Sequence, residues 1–125
     1  MKLGIVGTRK RNEKKHYILV CEKVLELGIE NISEIVSGGC KQGGDRFAEI
    51  IAKELNIPIK IFRPQCETDY TKPWLWVEAA YARNQQIADY SDKLIALVSP
   101  WRSGGTENTV EKFLKNHSKE DLFIL

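Results

Sequence analysis

The sequence predicts a three-layer α/β domain, a mostly parallel sheet of about five strands with helices on both faces. Three observations predict it. Short apolar runs alternate with longer stretches of helical periodicity along the whole chain. The first four apolar runs each end in a turn rich in glycine or proline. The 125 residues, 42% hydrophobic and 29% charged, suffice for one core, so residues 1–125 are read as a single domain without repeat or linker.

Lys2 to Val6 is a short apolar run that enters Gly7-Thr8-Arg9, as a buried strand entering a loop does. Residues 13 to 28 place Ile18, Leu19, Val24, Leu25 and Leu27 at mostly helical spacing, and Gly28 closes that helix. Ile35-Val36 is a second strand, followed by the glycine-rich loop Ser37-Gly38-Gly39-Cys40-Lys41-Gln42-Gly43-Gly44-Asp45. A helix from Asp45 to Leu55 turns Phe47, Ala48, Ile51, Ala52 and Leu55 inward. Pro58 starts a strand over Ile59–Phe62 and Pro64 stops it; residues 63 to 72 form a polar loop with Cys66, Asp69 and Tyr70. A helix from about Trp74 to Tyr90 carries Trp76, Ala79, Ala80, Ile87 and Ala88 on one side. Lys93 to Val98 is the fourth and most apolar strand, Ser99 to Gly105 a turn-rich loop, and Thr106 to Lys115 a helix. Leu122-Phe123-Ile124 completes the sheet at an edge.

Composition excludes several classes. No apolar run approaches the roughly 18 residues of a membrane span, and the first apolar stretch is too short for a signal peptide. A cytoplasmic protein is expected. Three cysteines, Cys21, Cys40 and Cys66, form no CxxC pair and read as free thiols. His16 and His117 have no HxxxH partner, so neither a metal site nor a cofactor is expected. A net charge of +2 is no nucleic-acid signature. The basic run Arg9, Lys10, Arg11, Lys14 and Lys15 is local, and is either a solvated face or a lure for an anion.

Strand–helix alternation of this kind makes a Rossmann-like sheet, whose ligands lie beyond the carboxyl ends of the strands. Four segments fall at that edge: Gly7-Thr8-Arg9, the 37–45 loop, Arg83-Asn84 and Ser103-Gly104-Gly105-Thr106. Where a glycine loop runs straight into a helix, consecutive N–H groups and the helix dipole favour phosphate or carboxylate. That arrangement occurs twice, before the helices near Asp45 and Thr106. The 37–45 loop is neither GxxxxGK[ST] nor GxGxxG. The candidate ligand-binding residues are Gly7, Thr8, Arg9, Ser37, Gly38, Gly39, Lys41, Gly43, Gly44, Asp45, Arg83, Asn84, Gly104, Gly105 and Thr106. Lys41 is a loop cation or a solvated lysine. Asp45 braces its loop or accepts from a ribose, bracing being favoured, and Arg83 meets a ligand phosphate or a structural partner. Trp74 and Trp76 suit a core or a dimer contact, whereas Trp101, beside the last glycine loop, is the better cover for a base.

Gly4-Ile5-Val6-Gly7-Thr8-Arg9, Val36-Ser37-Gly38-Gly39 to Gly43-Gly44-Asp45-Arg46-Phe47-Ala48-Glu49, Ala82-Arg83-Asn84 and Gly104-Gly105-Thr106, in that order, resemble the YspA and YpsA-related branch of the SLOG superfamily. The resemblance spans nearly the whole chain and implies a Rossmann-like fold binding a nucleotide or nucleotide derivative through these loops. That superfamily also holds the Lonely Guy phosphoribohydrolases and the DNA-processing A proteins. The phosphoribohydrolases carry GGxGTxxE, whose glutamate helps cleave an N-glycosidic bond beside a catalytic arginine. Here the glutamate's position holds Thr109, with Glu107 and Glu111 as neighbours. No counterpart of the catalytic-arginine segment is evident unless Arg83 serves.

The leading expectation is therefore a module that binds, and so can sense, a phosphorylated nucleotide-derived ligand. Amides of residues 38–44 and 104–106 would hold phosphate, and Arg9 and Arg83 would neutralise it. The alternative is a hydrolase cleaving a nucleoside monophosphate, with Glu107 or Glu111 as catalytic acid/base and Asp45 or Arg9 orienting the sugar. Single-stranded nucleic-acid binding ranks third, because aromatics do not interleave with the basic run. A homodimer or higher homo-oligomer is expected, since Trp74, Leu75 and Trp76 cannot all face one core.

Overall fold

In the computed structural model, which describes residues 1–65 and 72–125, five strands run parallel in one sheet. They are β1 (Lys2–Gly7), β2 (Glu34–Ser37), β3 (Ile59–Ile61), β4 (Lys93–Leu97) and β5 (Leu122–Ile124), in the order β3-β2-β1-β4-β5. The helices are α1 (Lys14–Leu27), α2 (Gly44–Glu54), α3 (Pro73–Tyr90) and α4 (Gly105–Asn116), with single 3-10 turns at Ile29–Asn31 and Lys119–Asp121. Every neighbouring pair of strands is parallel, where the sequence supported only a mostly parallel sheet. The expected polar loop holding Cys66, Asp69 and Tyr70 has those three residues outside the described ones.

The two-residue period of the strands divides the core into two layers. Leu3, Ile5, Ile35, Ile95 and Leu97 face α1 and α2, where they meet Val20, Val24, Phe47, Ala48, Ile51 and Ala52. Val6, Val36, Leu94 and Ala96 face the opposite way, onto Ile87, Ala88, Val110 and Phe113 of α3 and α4. This is a three-layer Rossmann-like α/β fold. Strands flanked by helices on both sides bury both faces, which is why β4 reads as one continuous apolar run.

Helix α2 buries Phe47, Ala48, Ile51 and Ala52 as its periodicity predicted, while Leu55, expected with them, caps the helix and is partly buried against the same core. Helix α1 does not follow its expected pattern. Its inward stripe is Tyr17, Val20, Cys21, Val24 and Leu27, while Ile18, Leu19 and Leu25 are exposed. At 100° per residue these three fall off the stripe defined by the spacing i, i+3, i+4, i+7. Trp76, expected on the inner side of α3, is also exposed, with Trp74, Val77 and Tyr81. The reason is length. Eighteen residues of α3 make a rod of about 27 Å, longer than strands of three to six residues. Only the later turns of α3, bearing Asn84, Ile87 and Ala88, are fully buried.

Strand β1 lies at the centre, and the chain order reverses between it and β4. β2 and β3 build outward on one side, β4 and β5 on the other. In such sheets the loops that leave the two central strands diverge to opposite faces and open a crevice at the strands' carboxyl ends.

Candidate functional site

A cleft of about 400 Å³ opens at that reversal point. Its lining comes from the end of β1 and the loop after it (Val6, Gly7, Thr8, Arg9, Lys10), the loop before α2 and its first turn (Cys40, Asp45), α3 (Arg83, Asn84, Ile87), and the loop before α4 with its first turns (Ser103, Gly104, Gly105, Thr106, Thr109). The four segments singled out in the sequence thus meet in one place. Ser37, Gly38, Gly39, Lys41, Gly43 and Gly44 are not in the lining, and neither are Glu107 and Glu111.

The loop between β2 and α2 is occupied with itself. Ser37 Oγ, fully buried, accepts from the Gly39 N–H at 3.2 Å and donates to the Asp45 carbonyl at 3.3 Å. The Cys40 N–H donates to Asp45 Oδ2 at 3.1 Å, and the Gly43 N–H to Asn12 Oδ1 at 2.8 Å. Three amides expected to hold phosphate therefore already have partners inside the protein. Asn12 also accepts from Arg46 Nη1 at 3.2 Å and so pins the start of α2 to the loop after β1. Gly44 sits against the backbone of β1: a Cβ there would lie 2.4 Å from Gly7 N and from the Val6 carbonyl carbon. The glycine pair lets two main chains touch. Lys41 is exposed beyond the cleft.

Asp45 is buried, yet its carboxyl borders the cleft. Burial pushes its pKa above the ordinary carboxylate value. The N–H groups of Cys40 and Gly38 and the charge of Arg83 pull the other way without cancelling that push. Its hydrogen bond to Cys40 braces the loop, the favoured reading of the sequence.

Arg83 and Asn84 tie the two glycine loops together. Arg83 Nη1 donates to the Gly38 carbonyl at 2.6 Å and Nε to Asn84 Oδ1 at 2.9 Å. Asn84 Nδ2 in turn donates to Asn108 Oδ1 at 3.1 Å and to the Gly105 carbonyl at 3.3 Å. Arg83 thus has a carbonyl and an amide for partners while its guanidinium remains in the cleft wall.

The start of α4 is open. Apart from the adjoining residues and the helix's own backbone, no heavy atom lies within 4 Å of a Cβ placed on Gly104 or Gly105, and Gly104 takes a positive φ of +91°, which favours glycine. The first bond of the helix runs from the Asn108 N–H to the Gly104 carbonyl at 3.1 Å. The N–H groups of Gly105, Thr106 and Glu107 therefore have no acceptor within the helix. Thr109, at the position of the phosphoribohydrolase glutamate, is buried in the cleft wall and donates through Oγ1 to the Gly105 carbonyl at 3.1 Å. Glu107 is held by Arg102, whose Nε and Nη2 each donate to one of its carboxylate oxygens at 2.8 Å. Glu111 is exposed.

No protein-family model, curated protein or solved structure matches this chain.

The basic run divides by role. Arg9 and Lys10 are exposed and line the cleft. Arg11 Nη1 donates to the carbonyls of Val98 (3.0 Å) and Leu125 (2.5 Å), the residues that follow β4 and β5. Lys14 and Lys15 lie exposed at the start of α1. Asn12, Cys40, Lys10 and Thr109 were not among the predicted site residues. The only signal for Asn12 was its polar type shortly after Gly7, which nothing in the sequence connects with Gly43. Among the described residues no group of three histidine, cysteine or acidic side chains is placed to hold a metal ion. None of the described helices is long and apolar enough to cross a membrane.

Proposed function

We propose that the cleft binds a phosphorylated nucleotide or nucleotide-derived ligand. The observation that carries this reading is that one cleft presents two kinds of chemistry. Arg9, Lys10 and the unpaired first-turn amides of α4 suit a phosphate, combining cations with a helix N-terminus. The Asp45 carboxyl repels a phosphate and accepts from hydroxyl groups, as a ribose would require. A ligand with an anion at one end and hydroxyls at the other satisfies both. The resemblance to the YspA and YpsA-related branch of the SLOG superfamily supports the same reading.

The test is thermal unfolding with a panel of nucleoside monophosphates and ribose 5-phosphate. A ligand that binds only the folded chain raises Tm with the logarithm of its concentration over Kd, adding about 2.7 kcal/mol of stability at a hundredfold excess. Arg9→Ala with Lys10→Ala should abolish the rise without lowering the Tm of the free protein. No rise with any compound would remove the reading.

N-glycosidic hydrolysis has less support, because Thr109 occupies the place of the glutamate and Glu107 is engaged by Arg102. Base release from a nucleoside monophosphate, abolished by Glu107→Ala or Glu111→Ala, would restore it. Self-association through the exposed Trp74, Val77 and Tyr81 of α3 belongs to the same proposal. Light scattering of Trp74→Ala tests it, an unchanged mass counting against that contact.

A further inference from the structure

Trp101 is 80% exposed, the most exposed large apolar side chain among the described residues. Its neighbourhood is built rather than loose. The Arg102 N–H donates to the Ser99 carbonyl at 3.1 Å, which closes a turn over Ser99, Pro100, Trp101 and Arg102. Proline at the second position of such a turn has its φ fixed beforehand. Arg102 itself takes φ +51°, an uncommon conformation for a residue with a Cβ, and its guanidinium is clamped to Glu107 by two hydrogen bonds. Two residues after Trp101 the chain enters the cleft wall at Ser103 and Gly104, a separation of at most about 7 Å between Cα atoms. Among the described residues no aromatic ring or cation stands against the indole.

A fixed turn thus presents a large π face to water two residues along the chain from the lining of a cleft that offers anion and hydroxyl partners, Trp101 itself standing outside that lining. Holding the backbone of the turn in advance removes part of the entropy cost of using the ring. We infer that Trp101 is the specificity-determining residue of the cleft, stacking on the base of the ligand and so selecting a nucleotide over a sugar phosphate. The inference rests on the nucleotide reading of the site and adds which part of the nucleotide the protein recognises. Every base has a π face, so the contact discriminates base from no base more strongly than one base from another.

The sequence has three tryptophans, so Trp74→Phe with Trp76→Phe leaves Trp101 as the sole indole emitter. In that background AMP should change the emission and ribose 5-phosphate should not. AMP should bind roughly tenfold or more tighter than ribose 5-phosphate, the scale of one base–aromatic stack. Trp101→Ala should bring AMP down to the affinity of ribose 5-phosphate and leave ribose 5-phosphate where it was. Equal affinities of the two compounds in the parent protein would overturn the inference while sparing the reading of the cleft. So would an AMP preference that survives in Trp101→Ala, or a change in molecular mass on that substitution with the affinities unmoved. If neither compound binds, the nucleotide reading falls and this inference falls with it.

Discussion

The two glycine loops look alike in the sequence and differ in the fold. Gly43-Gly44 and Gly104-Gly105 each lead a helix away from the carboxyl end of a strand. At the first, a side chain would strike the backbone of β1; at the second, it would meet nothing within 4 Å. The loop before α2 gives the amides of Gly39, Cys40 and Gly43 to Ser37, Asp45 and Asn12, and the start of that helix is packed against β1, whereas the start of α4 lines the open cleft. One glycine pair brings two parts of the main chain together, and the other keeps a surface clear. A glycine-rich turn before a helix therefore states that space is needed, without stating what fills it.

Substitutions can break or sharpen that contrast. The largest effect is expected at Gly44→Ala, where the new methyl lies 2.4 Å from β1 backbone that cannot move aside. A loss on the order of 3 kcal/mol or more is expected in urea unfolding. Gly105→Ala, at the equivalent place in the open loop, should change stability by no more than about 0.5 kcal/mol. Equal losses at the two positions would erase the distinction.

Arg83→Met comes next. It removes the donor to the Gly38 carbonyl and the link to Asn84, at an expected cost of about 1–3 kcal/mol. Hydrogen exchange would show whether both loops loosen together, as the chain from Gly38 through Arg83 and Asn84 to Gly105 requires. Gly104→Ala should cost about 1–2 kcal/mol, from backbone strain alone at φ +91°. A clash is absent there, and at ψ −159° the backbone lies outside the left-handed helical region that asparagine tolerates, so Gly104→Asn should cost about as much as Gly104→Ala.

The smallest effect is one of pH. The folded pKa of Asp45 lies above its unfolded value, so folding takes up a proton between the two. The corresponding stability is complete below the unfolded pKa and is lost as pH rises through the folded one. Asp45→Asn keeps an acceptor for the Cys40 N–H and carries no such charge. The stability of wild type relative to this variant should therefore fall as pH rises from about 4, and a flat difference would show that Arg83 and the two amides cancel the burial.

Much of this was legible in the sequence because it is local. The stripe of α2 follows from the spacing of Phe47, Ala48, Ile51 and Ala52, and the strands from apolar runs bounded by turns. What sheet order decides was not legible. Ile18, Leu19 and Leu25 are as apolar as the buried residues of α1, and only the angle at which the helix lies on the sheet separates them. Trp76 reads as core until the sheet proves shorter than α3. The site was foreseen as four segments at one edge, which helix and strand polarity guarantee. Its inner division was not foreseen, since the partners of the Gly39, Cys40 and Gly43 amides include Asn12, whose contact with Gly43 spans 31 positions of chain.

The central placement of β1 also bears on how the protein is made. β1 pairs with β4 in a register that sets Leu3 beside Lys93. The cleft draws its lining from segments between Val6 and Thr109, so its last wall, at the start of α4, exists only once the chain has passed β4. Pairings this distant in sequence are slow to find. The cleft is therefore complete only when the fourth strand has docked beside β1 and α4 has followed it.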